Sequence, residues 1–166
     1  GQKKKKIKSI LEKLPIKNII DFGCGDGGML HVIPSSVVYY GVDISPTQAS
    51  YAKKTIKELQ IKNATVIVGD VLKLNIKDNS YEAALLCDVV EHVLEPKTLL
   101  KEAKRIVKND GYIIISIPHE FLWLMMRAFL FRFPLHSPDH LHEIEPEDIR
   151  ESFNNIEREI NIPFPF

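Results

Sequence analysis

The chain alternates between short apolar runs and stretches in which apolar residues recur three and four positions apart. Short apolar runs bounded by Gly, Pro, Asn or Asp are typical of buried strands, and spacing of three and four indicates helices. This order predicts an α/β fold, in which a doubly wound, mostly parallel sheet carries helices on both faces. The predicted strands are 18–22, 37–42, 65–68, 82–87 and 112–117, with a sixth at 156–162.

Helix start and stop signals lie between these strands. Ser45 followed by Pro46 has the pattern of an N-cap and a first helical residue, and Pro34 ends a short helix that follows the first strand. Asn109-Asp110-Gly111 predicts a turn ahead of the fifth strand. The predicted helices are 3–14, a short one ending at Ile33, 46–59, 96 to about 107, and 147–153.

Composition and charge fit one globular domain that covers residues 1–166. Lys plus Arg number 22 and Asp plus Glu number 22, so no overall field attracts the chain to nucleic acid, and we expect no DNA partner. Two cysteines, Cys24 and Cys87, form no disulfide framework, which predicts a reducing, cytoplasmic location. The longest apolar stretch, 121–133, contains two arginines and is too short for a membrane span.

A glycine-rich segment after the first predicted strand is the strongest chemical signal. Gly23, Gly25 and Gly28 satisfy the pattern G-x-G-x-x-G, in which glycines let the backbone approach a nucleotide. Asp43 ends the second strand, 22 residues beyond Asp21, where a carboxylate accepts both hydrogen bonds from a ribose diol. These features by themselves fit a dinucleotide as well as other nucleoside ligands.

Asp21 favours a cationic ligand over a dinucleotide. A carboxylate two residues before the first glycine repels a pyrophosphate but attracts a cation. S-adenosylmethionine carries an ammonium and a sulfonium and no phosphate. Asp70 follows the third strand, where it can accept a hydrogen bond from an adenine amino group, so three acids meet at one sheet edge. We therefore expect S-adenosylmethionine, with an NAD-dependent oxidoreductase as the less favoured alternative.

At this point the sequence resembles the class I S-adenosylmethionine-dependent methyltransferases. The resemblance implies a Rossmann-like fold of seven strands, one of them antiparallel, and we expect the last edge strand to be missing from this chain. It also implies the residues that bind the cofactor. The matching segments are 19–27, 41–45, 69–71, 88–93 and 107–112. The implied cofactor-binding residues are Asp21, Gly23, Cys24, Gly25, Gly27, Asp43, Ile44, Asp70, Val71 and Cys87.

The segment after the fourth strand bears on the methyl acceptor. Asp88-x-x-Glu91-His92 resembles the corresponding stretch of small-molecule O-methyltransferases, including those of ubiquinone biosynthesis, and of small-RNA 2′-O-methyltransferases. The resemblance implies transfer to an oxygen of a small or partly apolar molecule. His92 and Glu91 are the catalytic candidates, with His92 as general base. An RNA 2′-O-methyltransferase and a cofactor-binding but inactive regulatory module stay open as alternatives.

Two further features surround this acceptor side. A divalent metal held by Asp88, Glu91, His92 and His140 would polarise an acceptor hydroxyl, but packing and capping roles are favoured, so no metal is predicted. Residues 119–142 are predicted to form an acceptor-side lid or insert. Its apolar part, 121–131, fits a lid, a docking patch for a partner or membrane surface, and a helix covering the sheet edge equally well.

Overall fold

A computed structural model describes residues 1–116 together with Ile149 and Phe153. Its sheet has five parallel strands in the order β3-β2-β1-β4-β5, and helices pack on both faces, which confirms the predicted α/β, Rossmann-like class. The strands are β1 (Asn18–Phe22), β2 (Val38–Asp43), β3 (Ala64–Val68), β4 (Tyr81–Cys87) and β5 (Val107–Ser116).

Three α-helices connect or precede the strands: α1 (Gln2–Leu11), α2 (Pro46–Glu58) and α3 (Pro96–Ile106). Two single turns of 3₁₀ helix, Gly28–His31 and Val90–His92, follow β1 and β4. Helix α2 begins as its sequence predicts, because the Ser45 hydroxyl accepts a hydrogen bond from the Gln48 N–H at 3.3 Å. Because these strands are parallel, the loops at the carboxyl ends of β1, β2, β3 and β4 lie along one edge of the sheet.

The two faces of the sheet bury separate apolar clusters. On one face, Ile19 packs with residues of α1 and α2. On the other face, Ile20 packs with residues of α3. Successive residues of β1 point to opposite faces, and both of these isoleucines are almost fully buried because the strand is covered on each side. The loop after β1 thus follows a strand that is buried on both faces of the sheet.

Several predicted boundaries are wrong in detail. Helix α1 ends at Leu11 rather than at residue 14, and the short helix after β1 is a 3₁₀ turn. Asn109 to Gly111 do not form the predicted turn but belong to β5, whose pairing with β4 is irregular: Tyr81 faces Val107, whereas Ala83 faces Tyr112. The register shift places these polar residues in a bulge of the strand, between its two paired positions, and local turn propensity does not contain this long-range effect.

The predicted insert 119–142 and sixth strand 156–162 lie outside the described residues, as does most of the predicted helix 147–153. Of that helix, Ile149 is helical, and together with Phe153 it packs against the cluster that contains α3. Within residues 1–116, no helix is long and apolar enough to cross a membrane.

Candidate functional site

The glycine segment after β1 forms a tight loop at the carboxyl edge of the sheet. Gly23, Gly25 and Gly27 have φ angles of +67°, +54° and +80°, a left-handed conformation that residues with a Cβ rarely adopt. The N–H groups of Gly23 and Cys24 both donate to the Val42 carbonyl, at 2.8 and 3.0 Å, which ties the loop to the end of β2. A Cβ at Gly25 would meet no atom within 4 Å, so open space lies beside this backbone.

Asp43 is held in place by the backbone on both sides of it. Its Oδ2 accepts from the Gly25 N–H at 2.7 Å, and its Oδ1 accepts from the Ser45 N–H at 2.8 Å. A carboxylate offers about four acceptor positions, so each oxygen retains capacity for a further donor. The next residue, Ile44, is 72% exposed and lies beside this carboxylate in the chain. The arrangement suits a ligand diol flanked by an apolar group.

Asp21 is buried one strand away from Asp43. Its Oδ2 accepts a hydrogen bond of 2.7 Å from the Tyr39 hydroxyl. The Asp21 pKa is raised to about 7, mainly by burial; the hydrogen bond from Tyr39 opposes this rise, and the charge of Asp43 adds to it. In the described part of the chain, no Lys or Arg forms an ion pair with Asp21. The site therefore contains a buried acid that has no cationic partner among the described residues.

Cys24 and Cys87 lie near Asp21. Burial, followed by the charge of Asp21, raises the pKa of each thiol to about 12. Both cysteines are therefore neutral near pH 7 and unsuited to act as nucleophiles. As small apolar groups they can line a ligand, and their contact with the cofactor stays a prediction.

Asp70 and Val71 follow β3. The Gly69 N–H donates to the Asp43 carbonyl at 2.9 Å, so this loop adjoins the end of β2. The Asp70 carboxylate accepts from the Leu72 N–H at 3.0 Å and pairs with Lys73 at 3.2 Å. Val71 is 9% exposed. The structure places both residues at the expected edge, and their contact with an adenine stays a prediction.

The acceptor-side residues follow β4. Asp88 has a φ of +53°, accepts from the Ser116 hydroxyl at 3.2 Å and forms an ion pair with Lys3 of α1. Glu91 is 2% exposed, whereas His92 is exposed. His140 lies outside the described residues. Within residues 1–116, no three His, Cys, Asp or Glu side chains are grouped so that they could hold a metal ion.

Three residues of this region were not predicted from the sequence: Tyr39, Gly41 and Lys3. Parallel pairing places Gly41 opposite Asp21, and a Cβ on Gly41 would lie 2.8 Å from Cys24 Sγ and 3.1 Å from Tyr39 Cε1. The missing side chain thus makes room for both neighbours. Strand alternation, applied to β1 and β2 together, could have found Tyr39, because it puts Tyr39 and Asp21 on one face. No sequence pattern indicates that Lys3 lies beside Asp88.

The residues present fit S-adenosylmethionine. Open space beside Gly25 admits a ligand, and the spare acceptor positions of Asp43 fit a ribose diol. The carboxyl of Asp21, which has no cationic partner among residues 1–116, fits an ammonium. A pyrophosphate, by contrast, would meet two carboxyl groups. The chemistry of the donor and acceptor groups thus agrees with a cationic nucleoside.

Comparison with known proteins gives an independent identification. A family profile described as a methyltransferase domain matches residues 20–115. The chain is 29% identical over 102 residues to norajmaline N-methyltransferase of Rauvolfia serpentina, covering 60% of this chain and 35% of that protein. It is 26% identical over 124 residues to demethylmenaquinone methyltransferase of a Geobacillus species, covering 70% and 53%. The chain therefore spans about a third to a half of these relatives' length.

The fold has close counterparts among solved structures. The crystal structure of the YcgJ protein from Bacillus subtilis superposes with a TM-score of 0.75 at 18% identity, covering 92% of this chain and 66% of that one. At this identity the likeness concerns the fold alone. The family profile covers more than half of the chain and includes the glycine segment, Asp43 and Asp70. The chain belongs to the class I S-adenosylmethionine-dependent methyltransferase family.

Proposed function

We propose that this chain transfers a methyl group from S-adenosylmethionine to an oxygen atom of a small, partly apolar acceptor. The cofactor, when bound, supplies an activated methyl group on a sulfonium for in-line displacement. The protein's own task is to hold the two reactants in line and to exclude water. A single-domain organisation and a cytoplasmic location stay part of this proposal as predictions.

The buried Asp21 carboxyl is the observation that carries the proposal. It lies beside the glycine segment and has no ion-pair partner among the described residues, so a ligand ammonium would supply the missing charge. Asp43 would accept from the ribose hydroxyls, and Asp70 with Val71 would contact the adenine. The backbone at Gly25 has open space beside it, which leaves it accessible to a ligand.

Calorimetric titration with S-adenosylhomocysteine, with NAD as the competing ligand, tests the cofactor assignment. The wild-type chain should bind S-adenosylhomocysteine, and Asp43→Ala should weaken binding by about 1–3 kcal/mol, because a charged acceptor of two hydrogen bonds is lost. Asp78→Ala is a matched control, since the exposed Asp78 carboxylate pairs with Arg105 and lies before β4, at the opposite edge of the sheet from the glycine segment. Binding of NAD alone would overturn the assignment.

His92 and Glu91 are proposed as the catalytic pair on the acceptor side. His92 is exposed in the Val90–His92 turn that follows β4, and an imidazole nitrogen can accept the proton of a hydroxyl. Glu91 is the adjoining buried carboxyl. In this assignment His92 accepts the acceptor's proton, and Glu91 supplies negative charge beside it.

Turnover of the His92→Ala variant tests the base assignment. The variant should lose methyl transfer by about 10²–10⁴-fold while its affinity for S-adenosylhomocysteine stays unchanged. His31→Ala removes another exposed histidine, at the end of the Gly28–His31 turn, and serves as the control. Equal turnover of wild type and His92→Ala on the same acceptor would show that His92 is not the base.

Nitrogen is the second candidate for the methylated atom, because one of the similar relatives is named an N-methyltransferase. An amine acceptor that binds as a free base needs no general base, so its methylation would be insensitive to His92→Ala. Screening phenols, amines and a small RNA for release of S-adenosylhomocysteine separates these acceptors. Cofactor binding without transfer to any of them would favour the inactive regulatory module.

A further inference from the structure

The Asp21 carboxyl is approached by one hydroxyl from the neighbouring strand. The Tyr39 side chain runs along β2 past Gly41 and donates to Asp21 Oδ2 at 2.7 Å. Both Tyr39 and Asp21 are 1% exposed. The contact requires the missing Cβ of Gly41, since a methyl group there would lie 3.1 Å from Tyr39 Cε1. The hydrogen bond is therefore built into the pairing of two strands.

The Tyr39 hydroxyl keeps its proton near neutral pH and donates a hydrogen bond to the ionised form of Asp21. Burial and the charge of Asp21 raise the Tyr39 pKa well above its usual value of 10, so the phenol keeps its proton. A hydrogen bond to a carboxylate stabilises its charged form. One oxygen of Asp21 is thus anchored, and no hydrogen bond to the other, Oδ1, occurs within residues 1–116.

The other charged and titratable groups around Asp21 do not replace this contact. Asp43 at the end of β2 and Cys24 in the glycine segment are an acid and a neutral thiol. Cys87 of β4 is a second neutral thiol, and Lys3 of α1 pairs with Asp88. Within the described part of the chain, the Tyr39 hydroxyl is the group that favours the charged form of Asp21.

We infer that Tyr39 is a positioning residue for the cofactor's ammonium group: its hydroxyl fixes Asp21 Oδ2 and favours the anionic form of Asp21, so that Oδ1 meets the ammonium. This inference rests on the proposed function, because the ammonium is that of the proposed cofactor. Tyr39 acts through Asp21 and needs no contact with the cofactor. The coupling makes cofactor affinity depend on pH through the protonation of Asp21.

The test compares Tyr39→Phe with Tyr40→Phe. Tyr40 is the next residue of β2 and faces the opposite side of the sheet. Its ring packs edge-on against the Tyr81 ring, with the ring centroids 5.5 Å apart. Loss of a hydrogen bond worth about 1.4 kcal/mol would raise the Asp21 pKa by about one unit. Affinity of Tyr39→Phe for S-adenosylhomocysteine should then fall about tenfold at about pH 6 but only about twofold at about pH 8. Tyr40→Phe should match wild type at each pH.

The pH profile separates positioning from packing. A merely structural role of the Tyr39 ring would weaken binding by one factor at every pH, and that result would overturn the inference. Asp21→Asn should bind with little pH dependence over this range, and adding Tyr39→Phe to it should leave that profile unchanged.

A second readout needs no ligand. Carbon-13 NMR titration of the Asp21 carboxyl should show a midpoint near 7 in the wild type. The midpoint should be about one unit higher in Tyr39→Phe and unchanged in Tyr40→Phe. Equal midpoints in all three proteins would refute the role of Tyr39. A wild-type protein that binds no S-adenosylhomocysteine would instead refute the proposed function, and the NMR titration would still decide the state of Asp21.

Discussion

At the scale of single residues, the site is dominated by an acid whose burial opposes its charge. Burial raises the Asp21 pKa from an ordinary 3.8 to about 7. Below about pH 4 the carboxyl is neutral in the folded and unfolded chain alike. Between about pH 4 and pH 7 the unfolded chain releases the proton first, so this residue lowers stability as pH rises, and above pH 7 its cost is complete.

The Asp21→Asn variant should reveal this cost in the ligand-free protein. Between about pH 5 and pH 8, the free energy of unfolding of the wild type should fall by about 2–3 kcal/mol relative to Asp21→Asn, because asparagine does not titrate. Denaturant unfolding of both proteins at the two pH values measures the difference. Parallel pH dependences would contradict a raised Asp21 pKa. The ionised Asp21 carboxylate thus lowers the stability of the ligand-free protein, and a bound cation would offset this cost.

At the scale of elements, two glycines serve different purposes. Gly41 lies in β2, and its missing Cβ leaves room for Cys24, whereas Gly25 lies in the loop with open space beside it. Packing against Cys24 thus explains why position 41 is a glycine. The glycine at position 25 is explained by its φ of +54° and by access for a ligand.

Alanine at each glycine should separate these purposes. Gly41→Ala should lower the free energy of unfolding by about 1–3 kcal/mol, since its Cβ would lie 2.8 Å from Cys24 Sγ. Gly25→Ala should cost about 1–2 kcal/mol for its left-handed backbone and should in addition weaken S-adenosylhomocysteine binding. Thermal unfolding and calorimetry on both variants make the comparison. Binding by Gly25→Ala at wild-type affinity would argue against ligand contact at this backbone.

At the scale of the whole molecule, the sheet is most protected at its centre and least at β3. Strand β1 has neighbours on both sides and near-zero exposure at Ile19 and Phe22. Among the strands that the structure describes, β3 pairs only with β2, and Ile67 and Val68 are more than 40% exposed. Amide exchange of the ligand-free protein should therefore be slowest in β1 and β4 and faster in β3. Uniform protection across the five strands would contradict this order.

Much of this architecture could be predicted from the sequence. Strand β1 was predicted at its observed bounds, and Ser45 with Pro46 marked the start of α2, because apolar alternation and capping are local properties. The boundaries that failed depend on distant partners. The polar residues Asn109 to Gly111 lie at a register shift within β5, between Val107 and Tyr112, and the position of that shift depends on the pairing with β4.

The candidate site divides in the same way. The glycines, Asp21, Asp43 and Asp70 are recognisable in the sequence, since strand ends and glycine spacing predict that they meet at one edge. The side chains that form hydrogen bonds or ion pairs with the residues of the site are not recognisable in the sequence. Tyr39 donates to Asp21 from 18 positions away, and Lys3 pairs with Asp88 from 85 positions away.

The sequence by itself determined the fold class and the chemical groups at the cofactor edge, because strand periodicity and turn chemistry are written in neighbouring residues. Only the tertiary structure decided how those groups behave. The raised pKa of Asp21, the role of Tyr39 and the space left by Gly41 arise from burial and from strand pairing. Desolvation and Coulomb energies depend on distances in space, which segments far apart in the chain set only when they pack together.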